Sequence, residues 1–355
     1  MKLTKKQIDD LNVQVTMEIK AEDYQPAEKK RLSERRRTAD FKGFRKGMAP
    51  MSLIQRVYGE QALAEAVNDV ISEGLNDFLK KSKLRVVGEP LASEDQPENE
   101  WVSGKDFTFK FDVAQTPEIT LTLSKDDKVT LYNIEVTEKA KKEMKENMLR
   151  QAGEMKENDK GEKELVPAEP GKEAYDRLFG PDKVHDEKEF DAAVAEHLTS
   201  NYEQEADYRL SKDIREYLVE KAALQLPEAF LKRWLIKVNE GKFSAEDVEK
   251  EFDMFLKDFR WQLVREHLMK EYKLKVEAKD IQEAAESYVA YQYAMYGIGN
   301  VPADMLKEAA QRVLADERQG RQIEEGVEDQ KVLAAVKDVI TISKKKITVE
   351  KFRAL

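Results

Sequence analysis

Val13, Val15, Met17 and Ile19 alternate with Gln14, Thr16, Glu18 and Lys20. A period of two puts alternate side chains on one face, so this stretch predicts a half-buried strand. Phe107, Phe109, Phe111 and Val113 alternate with Thr108, Lys110 and Asp112 and predict another. Between them the period becomes helical. A nearly all-polar helix is expected over about 26–38, opened by Pro26, with Leu32 its main apolar residue. Leu53, Ile54, Val57 and Tyr58 share a helical face that Gly59 is expected to break, and Leu63, Ala66, Val67, Val70, Ile71, Leu75 and Phe78 form a second. LRVV reads as a short strand ended by Gly88-Glu-Pro90. Residues 1–115 are thus expected to form a small α+β domain.

From 116 to about 135 the pattern is extended, and a helix begins near Thr137. The next stretch, GEMKENDKGEKELVPAEPGKE, has no period and predicts a loop. From Asp186 to Ile340 almost everything is helical. Phe190, Val194, Leu198, Leu210, Ile214 and Leu218 line one helix, and Leu226-Pro227 marks a boundary. Phe230, Leu231, Trp234, Leu235 and Val238 line the next, expected to end at Gly241. Ser244 suits the N-cap of a helix carrying Val248, Phe252, Phe255, Phe259 and Leu263. Gly297 to Pro302 predicts a turn before two more helices, and the tail ITISKKKITVEKFRAL is weakly patterned. The expected division is 1–115, a linker and first helical part over 116–154, a short loop over 155–172, and a helical domain over 173–355.

Charge sharpens this picture. The 355-residue chain is 37% charged with a formal net charge of −10. Between Lys29 and Lys46, however, nine basic residues meet only Glu34 and Asp40, a local surplus of +7 that leaves −17 for the remainder. Such a balance argues against nucleic-acid binding over the whole surface and favours one basic site. There is no cysteine, which excludes disulfides, thiol nucleophiles and zinc–thiolate centres. The first residues lack the apolar core of a secretory signal, and no run of about 18 apolar residues is present, so a cytoplasmic protein without a membrane span is expected.

Catalytic constellations are missing from the pattern. His185, His197 and His267 lack metal-motif spacing, and no phosphate-binding glycine loop or nucleophile elbow occurs. No cofactor or metal is expected.

The stretch FKGFRKGMAP sits at the end of the basic run. Gly43 and Gly47 permit a tight turn, Phe44 can project for a stacking or pocket contact, and Arg45 and Lys46 supply phosphate or carboxylate contacts. An exposed loop of this kind meets structured RNA or an acidic protein patch. The longer stretch GFRKGMAPMSLIQRVYG resembles the signature of the bacterial trigger factor family, ribosome-associated folding chaperones. Gly43, Phe44, Arg45, Gly47, Pro50, Tyr58 and Gly59 stand in matching places, with Met48 where lysine is commoner. LPEAFLKRWL and FRWQLVREHLMKEYKLKVEAKDI resemble the family's helical arm domain, so the likeness covers nearly the whole chain.

This resemblance implies an α+β ribosome-binding domain followed by an elongated, mostly helical chaperone domain with two arms. It implies docking on the large ribosomal subunit, at an exit-tunnel protein and ribosomal RNA, through Gly43, Phe44, Arg45, Lys46 and Gly47 with Arg36, Arg37 and Lys42 alongside. It implies a helical cradle for nascent or unfolded polypeptides, and a free monomer in equilibrium with a homodimer off the ribosome. Accessible methionine and aromatic groups repack around varied sequences. The candidates are Met254, Phe255, Phe259, Tyr288, Tyr291, Tyr293, Met295, Tyr296, Ile298 and Met305, with Tyr291 and Tyr293 expected off the main apolar face of their helix. Most family members also carry an inserted domain resembling the FK506-binding prolyl isomerases. Here the corresponding place holds only Met155 to Lys172, too short and polar to bury a core, so isomerase activity is expected to be absent. Two other readings stay open: a cytosolic RNA-binding or assembly factor without clients, and an isomerase with an unrecognised site.

Overall fold

The computed structural model describes residues 1–82, 84–157, 163–239 and 242–355. In chain order it forms β1 (Lys2–Gln7), β2 (Asn12–Ile19), α1 (Ala21–Thr38), α2 (Met51–Ser82), β3 (Val86–Ala92) and β4 (Phe107–Gln115). Then come β5 (Lys128–Ile134), α3 (Glu138–Gln151), β6 (Glu154–Glu157), β7 (Lys163–Val166), α4 (Lys172–Phe179), α5 (Glu187–Ala222), α6 (Glu228–Val238) and α7 (Ala245–Glu271). The chain ends with α8 (Ala278–Met295), α9 (Ala303–Ala315), α10 (Glu317–Val339), β8 (Thr341–Ile347) and α11 (Val349–Arg353). These residues divide into two compact units, Met1–Ile119 with Leu224–Phe259, and Thr120–Ala223 with Arg260–Leu355.

The first unit is built on an antiparallel sheet of order β1-β2-β4-β3. Val13, Val15, Met17 and Ile19 pair with Val113, Phe111, Phe109 and Phe107, and the four β2 side chains are fully buried, as their alternation requires. Met17 and Ile19 pack with Tyr24, Leu63, Ala66 and Val67 from α1 and α2, while Val13 and Val15 pack with Val113, Leu75 and Phe78. Each such side chain contributes about 2 kcal/mol of apolar burial. At Gly74 an added Cβ would stand 2.8 Å from Met1 Sδ and 3.0 Å from Met17 Cε, so a glycine lets α2 lie close on the sheet.

Three local expectations fail here. Helix α1 begins at Ala21, leaving Pro26 inside it, because Asp23 Oδ2 accepts the Lys20 N–H at 2.8 Å and Asp106 Oδ1 accepts the Ala21 N–H at 2.9 Å. It also buries Tyr24, Glu28 and Leu32, one stripe four residues apart. Helix α2 runs unbroken through Gly59, since a lone glycine costs only about 1 kcal/mol and Ile54, Ala62 and Leu63 on either side of it are buried. Strand β3 continues past Gly88 through a bulge between Val87 and Leu91.

Residues 224–259 join this unit, although the helical pattern groups them with the later helices. Trp234 lies on Gly88, where a Cβ would come within 2.7 Å of its Nε1. Arg233 Nη1 donates to Asp112 Oδ2 at 2.7 Å and Nη2 to the Ala92 carbonyl at 2.9 Å. Ser244 caps α7 as expected, accepting the Asp247 N–H at 3.2 Å, while Asp247 Oδ2 accepts the Ser244 N–H at 3.0 Å. The expected helix end at Gly241 lies outside the described residues; α6 closes at Val238.

In the second unit, Thr137 caps α3 by accepting the Ala140 N–H at 3.2 Å. The stretch expected to be a plain loop holds an antiparallel pair, β6 with β7, its described strand residues exposed. The weakly patterned tail is also ordered: β8 pairs in parallel with β5, Val129 opposite Ile342. Ser343 to Lys346 are exposed along β8, and lysines on such a ladder discourage pairing with another chain. Helix α5 buries Phe190, Val194, Leu198, Tyr202, Ala206, Leu210, Ile214 and Leu218, a strict step of four. With 3.6 residues per turn the stripe drifts by about 40° each step and winds around the helix. Its start meets Ala140, Met148 and Tyr175, while its later part lies on β5.

Asp127 ties β5 to its surroundings. It is buried and accepts from Tyr217 Oη and Lys221 Nζ on α5, and Oδ2 accepts the Ser124 N–H at 2.7 Å. Burial pushes its carboxyl up, but these hydrogen bonds outweigh burial and hold it below its ordinary value. The hydrogen bond to Asp127, aided by burial, pushes the Tyr217 phenol up to about 12. A raised acid favours the protonated fold, so its stabilisation is complete below about pH 10 and lost as pH climbs through the folded value. Urea unfolding between about pH 9 and pH 12 should therefore show an alkaline decline that Tyr217→Phe flattens.

Candidate functional site

The basic loop leaves α1 at Thr38 and enters α2 at Met51, and its base is packed. Leu32, Ala49, Ile54 and Ala62 form a small core against which Phe41, Leu53 and Tyr58 rest, with the Phe41 and Tyr58 rings edge to face at 6.3 Å. Arg31 and Arg35 are not free cations. Arg31 Nη1 meets Glu65 Oε2 at 2.8 Å and also pairs with Asp69, while Arg35 Nη2 reaches Glu65 Oε1 at 3.4 Å and its guanidinium lies 5.8 Å over Tyr58. These contacts brace α1 on α2 and set the direction in which the loop leaves.

Two turns shape the loop itself, closed by the Phe44 N–H on the Phe41 carbonyl at 3.0 Å and the Met48 N–H on the Arg45 carbonyl at 2.8 Å. Gly43 and Gly47 sit at φ +92° and +82°, a region that L side chains avoid. The turns leave Phe44 44% exposed, with Lys42, Arg45 and Lys46 also exposed. Arg37 is exposed and Arg36 half-buried, and neither they nor Lys42, Arg45 and Lys46 form an ion pair with any described residue. The structure thus brings the predicted loop residues into one cationic, aromatic-tipped projection. Met48 on the loop and Met51 and Val57 on the first turns of α2 are further exposed apolar groups. Helical spacing groups Val57 with the buried Ile54, because periodicity cannot separate the edge of an apolar stripe from its centre.

The second set of candidates does not gather on one unit. Met254 and Phe255 belong to the first unit; Met254 is exposed, and Phe255 is half-buried between Phe252 and Phe259 at ring distances of 6.0 and 5.7 Å. Ile236 and Phe243, also exposed in that unit, are not singled out by sequence, and Val238, expected on the apolar face of its helix, is exposed at its end. In the second unit the end of α8 and the turn after it expose Tyr288, Tyr291, Met295, Tyr296 and Ile298, and Met305 lies beyond them on α9. Tyr296 and Met295 are 85% and 71% exposed, high for large apolar side chains in so polar a chain. Tyr293 departs from expectation: it packs against Ala285, Val289 and Ala310, because four residues from Val289 it shares that residue's face toward α9.

Among the described residues no helix is long and apolar enough to cross a membrane, and no cluster of three or more metal-type ligands occurs. The arrangement can bind through charge and apolar contact. It defines an α+β domain with an exposed cationic loop and a helical domain with open aromatic ends.

Comparison with known proteins agrees. The family model described as "Bacterial trigger factor protein (TF)" matches residues 1–148, and "Probable trigger factor, C-terminal domain" matches 206–355. The chain belongs to the trigger factor family. Trigger factor of Saccharophagus degradans is 38% identical over 109 residues, 31% of this chain and 24% of that one. Trigger factor of Lachnoclostridium phytofermentans is 36% identical over 135 residues, 37% of this chain and 31% of that one. Such matches span about a quarter to a third of those relatives' length. A solved structure described under "Promiscuous Substrate Recognition in Folding and Assembly Activities of the Trigger Factor Chaperone" covers 95% of this chain and 100% of its own, with TM-score 0.52 and 16% identity, and supports the fold.

Proposed function

We propose that this protein is an ATP-independent chaperone of the cytoplasm that docks at the exit tunnel of the large ribosomal subunit through the Gly43–Gly47 loop. It shelters nascent chains on the exposed methionine and aromatic groups of its helical part. The observation that carries this reading is the exposed Phe44-Arg45-Lys46 tip, whose cations are left without acidic partners in a chain of net charge −10. An unpaired cationic tip suits a polyanionic partner, and an acidic body limits indiscriminate RNA binding. Dispersed apolar groups, each worth about 25 cal/mol per Å² buried, allow release without ATP. Off the ribosome the same reading includes a monomer–homodimer equilibrium.

The full chain is the proper test object, since residues 224–259 rest on the N-terminal sheet. At equimolar ratio, without ATP, it should delay aggregation of a chemically denatured enzyme several-fold by light scattering. The β6–β7 pair stands where an isomerase domain would be inserted, so proline-limited refolding of a small protein should keep its uncatalysed time of tens of seconds to minutes. Ribosome binding without any delay of aggregation would favour the assembly-factor reading, and accelerated refolding would restore the isomerase.

A further inference from the structure

Helix α10 carries two unlike grooves on opposite sides. The one facing α7 is lined by Arg265, Glu266, Lys270, Arg321, Glu324 and Glu328, typical of a chain that is 37% charged. The one facing α8, about 250 Å³ in volume, has no Asp, Glu, Lys or Arg in its lining. Instead Gln319, Gln322 and Gln330 stand around Ile323 and Gly326, with Tyr288 on the α8 side. Positions 319, 322, 323, 326 and 330 fall on one face of a helix with 3.6 residues per turn.

The three glutamine side chains are exposed and hydrogen-bond to no described residue. Some helix glutamines are committed, Gln282 donating to Glu286 at 2.9 Å, Gln262 to Glu266 at 3.1 Å and Gln61 to Glu65 at 2.9 Å, while others such as Gln204 and Gln311 bond to no described residue; what sets the three apart is that they are gathered on one charge-free groove. Gly326 forms the open floor, since a Cβ there would meet nothing within 4 Å. A helix-interior glycine lowers helix propensity, and here no close contact requires it. The ion pair of Lys331 with Asp280 at 2.7 Å braces α8 on α10 beside the groove.

We infer that the α8–α10 groove binds the backbone of an extended, uncharged polypeptide segment, its glutamine carboxamides pairing with peptide N–H and C=O groups. This rests on the chaperone reading and names the part of a client that is recognised. A carboxamide offers both donors and an acceptor, so it complements a peptide unit in either chain direction and is indifferent to side-chain order. The absence of charge favours a neutral occupant, because a charged side chain would be desolvated without a partner. The volume suits one side chain with its flanking peptide units, below the roughly 300 Å³ of ordinary ligand pockets. Tyr288 makes the groove continuous with the exposed Tyr291 and Met295.

The test uses the full chain and a fluorescent, end-capped nonapeptide of Leu, Ser, Thr and Asn, titrated by anisotropy. A scrambled version should bind within about twofold, whereas N-methylation at alternate residues, which removes donors and keeps side chains, should weaken binding about tenfold. Gly326→Glu should weaken it at least about tenfold with an unlowered melting temperature, because the new side chain enters open space and glutamate is the better helix former. Gly326→Ala should bind as wild type. Equal affinity for the N-methylated peptide, or wild-type affinity in a well-folded G326E, overturns the inference. If aggregation is still delayed while G326E binds peptide normally, the groove assignment fails and the chaperone reading stands. If aggregation is not delayed but the N-methyl discrimination persists, the groove stands as a peptide site and the chaperone reading falls.

Discussion

Replacing Phe44, Arg45 and Lys46 together with alanine is expected to lower affinity for purified ribosomes by on the order of 100-fold, one stacking and two phosphate-type contacts being lost. The fold should be untouched. All three side chains project from the loop, while its base is held by Leu32, Phe41, Ala49 and Ile54, which the substitutions leave in place. The glycines that set the turns also remain. Residual binding should have a shallower salt dependence, by roughly two units of log–log slope, since cation–phosphate contacts release counterions and Arg45 and Lys46 are removed while Arg36, Arg37 and Lys42 remain. Arg31 and Arg35 are expected to contribute little directly, because Glu65 and Asp69 already neutralise them. Co-sedimentation equal to wild type at about 0.1 M salt, where screening sets in near 10 Å, would refute the docking role of the loop.

Asp329→Ala is expected to destabilise the second unit by about 3–4 kcal/mol, seen as a lower denaturation midpoint. Asp329 is a buried acid shared by three helices. Its Oδ2 meets Arg215 Nη2 from α5 at 2.7 Å, and its Oδ1 accepts from Trp261 Nε1 at 2.9 Å and Arg265 Nη1 at 3.2 Å, both from α7. The Arg215 guanidinium also lies 5.3 Å over the Trp261 ring. Removing the carboxylate strands the Arg265 side chain, only 8% exposed, with Glu328 as its remaining acidic partner at 3.1 Å, and leaves the indole N–H unsatisfied. The cost is that of an uncompensated buried charge rather than the worth of one ion pair. Arg265→Met added to Asp329→Ala should therefore recover part of the loss. No recovery would show that Asp329 acts through packing alone.

Much of this was legible along the chain. The alternation around Val15 and Phe109 marked two central strands, and the uneven charge and paired glycines marked the loop. The aromatic cluster near Tyr291 was visible as composition, but its facing was not. Tyr293 and Tyr296 look alike in sequence; one packs on Ala310 and the other is open, because Tyr296 lies past the last residue of α8, in the turn before α9. The breaks expected at Gly59 and Gly88 failed for a related reason: a glycine weakens a helix or strand only slightly, and burial of its neighbours outweighs that.

The order of residues alone determined the strand and helix periods and the concentration of cations on one short segment, since these depend on neighbours a few positions away. Tertiary structure alone decided that β5 and β8 pair, their Thr130 and Ser343 being 213 positions apart. It also placed 224–259 on the N-terminal sheet through Trp234 at Gly88 and Arg233 at Asp112, and left the glutamines of α10 uncommitted. A local pattern reports which way a side chain points from its own helix or strand; what it meets there is set by chain folded back from far away.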